Sequence, residues 1–260
     1  MNIVFYKYQG TGNDFVIIDN RANEIHLTTA QVKKLCDRRF GIGADGLMLL
    51  NTEPGYDFAM KYYNADGNES TMCGNGGRCL VKFAYHQGIR RTTYTFLAID
   101  GRHEATIDDN GWVNLKMQDV HGIRRIYTDA ELNTGSPHYV KPVTDLRRYD
   151  VYKEGKAIRN SNGYKEKGIN VNFVEEGNDD NLFVRTYERG VENETLSCGT
   201  GVTAAALVYA HNEAGFNRVD ITTLGGKLAV EFDKTGEDRF ENIWLCGPAE
   251  FVFKGTVEIE

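Results

Sequence analysis

Two cysteines stand in the same short setting. Cys73 opens "CGNGGRC" and Cys198 opens "CGTGVTA", and each leads into an apolar stretch with a His thirteen positions on, at His86 and His211. Glycine costs conformational entropy and adds no packing, so its repeated use beside a thiol points to close approach by something to the backbone. A thiol at a helix start sits among unpaired N–H groups and the positive end of the macrodipole, which favour the thiolate. Without a Cβ at Gly74, Gly76, Gly199 or Gly201, a carboxylate can settle against bare N–H groups. A carbon held between two such starts could lose a proton to one thiolate and regain one from the opposite thiol, which inverts its configuration. The charge that builds on the neighbouring carboxylate would meet two preorganised helix N-termini. This chemistry needs no metal and no cofactor, and the sequence holds neither a His/Cys cluster at ligand spacing nor a Schiff-base lysine signature. A lone Cys-Gly-x-Gly is more often structural than catalytic. Its recurrence in register across an internal duplication is what carries the functional reading.

That duplication extends well beyond the motif. "DFAMKYY", with Tyr63, precedes the first Cys and "NLFVRTY", with Tyr187, precedes the second; "TTYTFLAIDGRHEATID" parallels "VDITTLGGKLAVEFD" downstream; Gly12 in "GTGNDFVIID" matches Gly135 in "NTGSPHYVKP". β-branched and aromatic runs bounded by "ADGN", "DDNG" and "EEGNDDN" predict strands joined by turns. One helix per half is expected after each cysteine, the second apolar all round and therefore buried, with Gly88 and Gly215 as terminators. A further amphipathic helix is expected in "TTAQVKKLCDRRFG", capped by Thr and stopped at Gly41. The expected fold is α/β of the α+β kind, with two pseudo-symmetric domains, each a mostly antiparallel or mixed sheet wrapped around a central buried helix. The first comprises residues 1–117, the second residues 118–248, and residues 249–260 return to the first. The remaining thiols, Cys36, Cys79 and Cys246, read as core residues, and His86 and His211 as structural residues three turns down their helices.

Composition narrows the function classes. The 260 residues carry a net charge of -7, which speaks against nucleic-acid binding. No apolar run reaches the roughly 18 residues of a membrane span, and an odd number of scattered cysteines suits a reducing, cytoplasmic setting.

"GTGNDF", "GIGADG", "NADGNESTMCGNGGRC", "SPH", "YERG" and "ETLSCGTGVTA" together resemble the diaminopimelate epimerase family, in that family's order and over essentially the whole chain. The resemblance implies a pyridoxal-independent, homodimeric enzyme that interconverts LL- and meso-2,6-diaminopimelate, on the route to lysine and, in bacteria, to peptidoglycan cross-links. It implies Cys73 and Cys198 as the acid/base pair, Cys73 acting on the L configuration, with His138 and Glu188 tuning the thiols. Asn13, Asn64, Gly74, Asn75, Asn170, Glu188, Arg189, Gly199 and Thr200 fall on its substrate-contacting positions. Arg189 suits bidentate capture of a carboxylate. Three departures stand out: Gly46 replaces a Gln, Ser136 replaces an Asn, and the segment from Glu188 to Cys198 is one residue longer. A proline racemase or hydroxyproline epimerase is a rival on a similar scaffold, but that family resembles this chain less, placing His at Asn75 and Pro at Ser197. A binding protein switched by a Cys73–Cys198 disulfide is the rival from another class.

Overall fold

The computed structural model describes residues 1–177 and 181–259, so residues 178–180 of the turn read in "EEGNDDN" lie outside the described residues. The chain divides into two compact units, residues 1–115 with 247–260, and residues 116–246.

In the first unit, a hairpin of the strands Asn2–Gly10 and Asn13–Asp19 turns through Thr11 and Gly12. Both turn residues have positive φ, 49° and 84°, the two-residue turn that matches strand twist. Asn13–Asp19 then pairs in parallel with Gly46–Asn51, which pairs antiparallel with Phe58–Asn64; that strand pairs in parallel with Thr93–Ala98, which folds back on Gly101–Ile107. Glu250–Glu258 returns to pair with Asn2–Gly10. The sheet is mixed, and its two parallel joins need crossovers, which the helices α1 (Thr29–Cys36) and α2 (Gly74–His86) supply. Alternation along the strands sends Val16, Ile18, Leu47 and Leu49 to pack with Val32, Leu35 and Cys36 of α1. Helix α2 packs against Asn2–Gly10, Asn13–Asp19 and Gly46–Asn51.

The second unit repeats this order. Asp129–Asn133 and Pro137–Pro142 form a hairpin; parallel joins link Pro137–Pro142 to Asn170–Glu176 and Leu182–Glu188 to Gly215–Thr223; Gly215–Thr223 folds back on Gly226–Gly236. Its crossovers hold α3 (Val151–Arg159) and α4 (Gly199–Val208). Helix α4 is buried from Gly201 to Leu207, as an all-apolar helix must be.

Two helix ends differ from the sequence reading, and one helix was not expected. Helix α1 carries the expected cap, with Thr28 and Gln31 closing a capping box, but it ends at Cys36 rather than at Gly41. The Asp37 carboxylate accepts from the N–H groups of Arg39 and Phe40, both at 2.7 Å, a local turn that competes with another helical turn. Helix α4 ends at Val208, so His211 lies beyond it and Gly215 opens a strand instead of stopping a helix. Asn217 Oδ1 accepts from the Asn212 N–H at 2.8 Å and Asn212 Nδ2 donates to Phe216 O at 2.8 Å, fixing the connecting loop. The third helix, α3, was not read from the sequence; Asp150 caps it through the Lys153 N–H, and Gly155 lets it lie against Tyr187. His86 does belong to α2, where its Nδ1 meets Tyr8 Oη at 2.7 Å, a structural contact.

Candidate active site

Each motif cysteine occupies the residue just before its helix. Cys73 and Cys198 have extended φ/ψ, and neither side chain caps the helix it precedes. The backbone carbonyls start the helices instead, Cys73 O accepting from Gly77 N at 2.7 Å and Cys198 O from Val202 N at 2.9 Å. Both thiols therefore stand at the positive end of a helix dipole without being consumed in building it. Cys36 ends α1 and Cys79 lies within α2, and burial pushes each of those thiols up to about 12, which keeps them neutral.

In the first unit, Cys73 Sγ lies 3.6 Å from Asn13 Oδ1, and Asn75 Nδ2 donates to the same oxygen at 3.4 Å. Three predicted residues thus meet at the start of α2. Asn13 is oriented from behind, where its Nδ2 donates to Asp45 Oδ2 at 2.6 Å. Arg38 bridges Asp45 at 2.8 Å and Asp14 at 2.6 Å, and buried Lys7 pairs with Asp14 at 2.7 Å. Burial alone would raise the Asp14 carboxyl, but hydrogen bonds from Arg38 and Lys7 hold it down at about 2. Fully buried Arg78 donates to Asn75 Oδ1 at 3.0 Å. Asn64 stands exposed at the end of its strand, opposite Gly46.

In the second unit, Cys198 Sγ lies 3.6 Å from Thr200 Oγ1, and Thr200 Oγ1 lies 2.9 Å from His138 Nε2. Burial lowers the His138 imidazole to about 3, so it is neutral at any working pH. Asn170 gathers a second cluster: its Nδ2 donates to Ser136 Oγ at 2.8 Å, its Oδ1 accepts from Arg189 N at 2.8 Å, and Arg189 Nη2 reaches Ser136 Oγ at 3.4 Å. Glu188 Oε2 accepts from Thr195 Oγ1 at 2.9 Å.

The missing Cβ of the second glycine of each motif clears space on the inward side of its helix. A Cβ on Gly76 would touch Met48 and Phe15 at 3.4 Å, and one on Gly201 would overlap Asn172 Oδ1. The sequence reading missed Asn172, Thr186, Arg78 and the Lys7–Asp14–Arg38–Asp45 network. Asn170 and Asn172 do leave a signal, two polar residues at i and i+2 interleaved with Val171 and Phe173, hence on one face of the strand.

Among the described residues, no three His, Cys, Asp or Glu side chains stand where they could hold a metal ion. No helix among them is long and apolar enough to cross a membrane.

Residues 5–121 and 131–252 match the diaminopimelate epimerase family. The chain belongs to that family. It is 52% identical to a diaminopimelate epimerase of Flavobacterium psychrophilum, over 97% of this chain and 99% of that one, and 43% identical to one of Chlorobaculum tepidum, over 96% and 99%. As a family member it is an isomerase of the epimerase type. The fold is shared more widely. A PhzF-family protein of Bacillus anthracis superposes with a TM-score of 0.79 at 14% identity, each chain covered completely. A hydroxyproline epimerase from Agrobacterium vitis gives 0.68 at 13% identity, over 98% of this chain and 92% of that one.

Proposed function

We propose that the protein interconverts LL- and meso-2,6-diaminopimelate by two-thiol acid/base chemistry, without a bound cofactor. The observation that carries this reading is the placement of Cys73 and Cys198, each at a helix start, each left out of the cap, and each beside a polar side chain. One thiolate takes the proton from the stereocentre and the other thiol returns one to the opposite face, the roles exchanging with reaction direction. The first-turn N–H groups of Gly74 and Asn75, and of Gly199 and Thr200, receive the carboxylate on which charge develops. Asn13, Asn64, Asn170 and Glu188 position the substrate. Arg189, steadied through its main chain by Asn170 and through its guanidinium by Ser136 and Lys167 O, binds the distal carboxylate. His138 and Glu188 tune the thiols.

The fold alone would accommodate proline as substrate, but Asn75 and Ser197 stand where the proline racemase and hydroxyproline epimerase family places His and Pro. Isotope exchange separates the two. In D2O with reductant, the purified protein is expected to place deuterium on the α-carbon of diaminopimelate and none on proline; labelled proline, or an unlabelled diaminopimelate pool, would overturn the assignment.

The same reading places the reaction in the cytoplasm, on the route to lysine, and the protein as a homodimer. In support of self-association, the strand Glu250–Glu258 leaves Phe251, Val252 and Phe253 between 44% and 52% exposed, and Val4 of the paired strand, opposite Thr256, is exposed as well. Analytical ultracentrifugation is expected to give a dimer that Phe251→Lys converts to monomer. A monomeric unsubstituted protein at micromolar concentration would remove that element.

A further inference from the structure

Strand register equates positions in the two halves. Phe15 pairs with Gly46 as His138 pairs with Asn170, and two residues along, Met48 pairs with Tyr62 as Asn172 pairs with Thr186. Beneath α2 the glycine of the motif therefore rests on Phe15 and Met48, whereas beneath α4 the equivalent positions are His138 and Asn172. The first half shows that this architecture is satisfied by apolar side chains there. Burying a His, an Asn and a Thr instead carries a desolvation cost that packing does not require. All three are at most 3% exposed.

Their hydrogen bonds have one consistent direction. Asn172 Nδ2 lies 3.1 Å from Tyr139 O, a backbone carbonyl that can only accept, and this settles which end of the amide is nitrogen. Thr186 Oγ1 supplies the Oδ1 end at 3.0 Å. The same Nδ2 lies 3.0 Å from His138 Nδ1, so Nδ1 must accept and the imidazole proton belongs on Nε2. Nε2 then donates to Thr200 Oγ1, and the threonine hydroxyl is left to give its own hydrogen to Cys198 Sγ.

We infer that Asn172 is a positioning residue for the second thiol: it holds His138 in the Nε2-protonated tautomer and thereby aims the Thr200 hydroxyl hydrogen at Cys198 Sγ. A donor facing the sulfur favours the thiolate. Gly201 is part of the device, because any Cβ there would displace Asn172 Oδ1. Burial first, and the charge of Arg189 after it, lower the His138 imidazole, and the Glu188 carboxylate ends the strand paired with Asn170–Glu176. The first half works differently: Cys73 faces Asn13 Oδ1, an amide oxygen that Asp45 holds in place as an acceptor.

The inference rests on Cys198 being a reacting thiol, as proposed above, but its tests use no substrate and so fail separately from that reading. In 15N spectra of the unsubstituted protein, His138 is expected to carry its proton on Nε2 with Nδ1 bare at neutral pH; a proton on Nδ1 would overturn the inference whether or not any variant folds. Iodoacetamide labelling, read at Cys198 by peptide mass spectrometry across pH, gives the second test. Asn172→Leu is expected to move the labelling midpoint up by about one unit, roughly tenfold slower labelling at neutral pH. Met48→Leu, the equivalent substitution in the other half, is expected to leave the Cys198 midpoint in place. A purely structural Asn172 would lower the melting temperature without moving the midpoint, and a folded Asn172→Leu protein with an unmoved midpoint refutes the assignment.

Discussion

Replacing Cys73 by Ala, or Cys198 by Ala, is expected to reduce epimerisation by at least roughly a thousandfold in both reaction directions, the scale of losing a positioned acid or base. The reason is geometric. On the two-thiol mechanism proposed above, inversion removes the proton from one face and delivers one to the other, so neither thiol can do the work of both. Either substitution should cost little in stability, because neither side chain caps its helix and the carbonyls that start α2 and α4 remain. Melting temperatures near that of the unsubstituted protein would show the loss to be chemical. Cys→Ser would be a poorer probe, since a hydroxyl can retain partial function. Turnover that survives loss of either thiol would instead indicate one-base chemistry, such as that of a lyase.

The second large effect separates two glycines that look interchangeable in the sequence. Gly201→Ala is expected to destabilise the protein by about 3 kcal/mol, through overpacking and disrupted buried hydrogen bonds around Asn172, and to depress turnover as well. Gly76→Ala places its methyl at ordinary contact with Met48 and Phe15. Alanine's better helix propensity offsets what tightness remains, so a change within about 1 kcal/mol is expected. Calorimetry and steady-state rates on both variants check this, and equal melting temperatures would contradict the inward-facing role of Gly201.

Much of this was legible in the residue order. The repeated Cys-Gly-x-Gly located both helix starts, the paired strand runs ending near Tyr63 and Tyr187 became strands, and the apolar composition of α4 fixed its burial. Helix ends were less legible, because they depend on side-chain competition that composition does not display. Asp37 closes α1 by capturing two N–H groups, and the Asn212–Asn217 bonds hold the loop after α4 although the apolar run continues to Ala210. Helix α3 escaped notice since it is short and only Val151 and Gly155 of its nine residues are buried, interleaved with Lys153, Glu154, Lys156 and Arg159. At the site, residues that touch the thiols were found through motif and resemblance. Those that orient them from behind were missed: Asp45 and Arg38 act on Asn13 from 32 and 25 positions away in sequence, and Asn172 acts on His138 from 34 positions away. Such long separations leave no local pattern.

The return of Glu250–Glu258 to pair with Asn2–Gly10 has a consequence for biogenesis. Residues 116–246 form a contiguous unit that can acquire its structure once they have left the ribosome, whereas the unit of residues 1–115 must wait for residues 247–260 before the outer edge of Asn2–Gly10 gains a partner. Until those residues are made, the strand that carries Ile3 and Phe5 has an open flank.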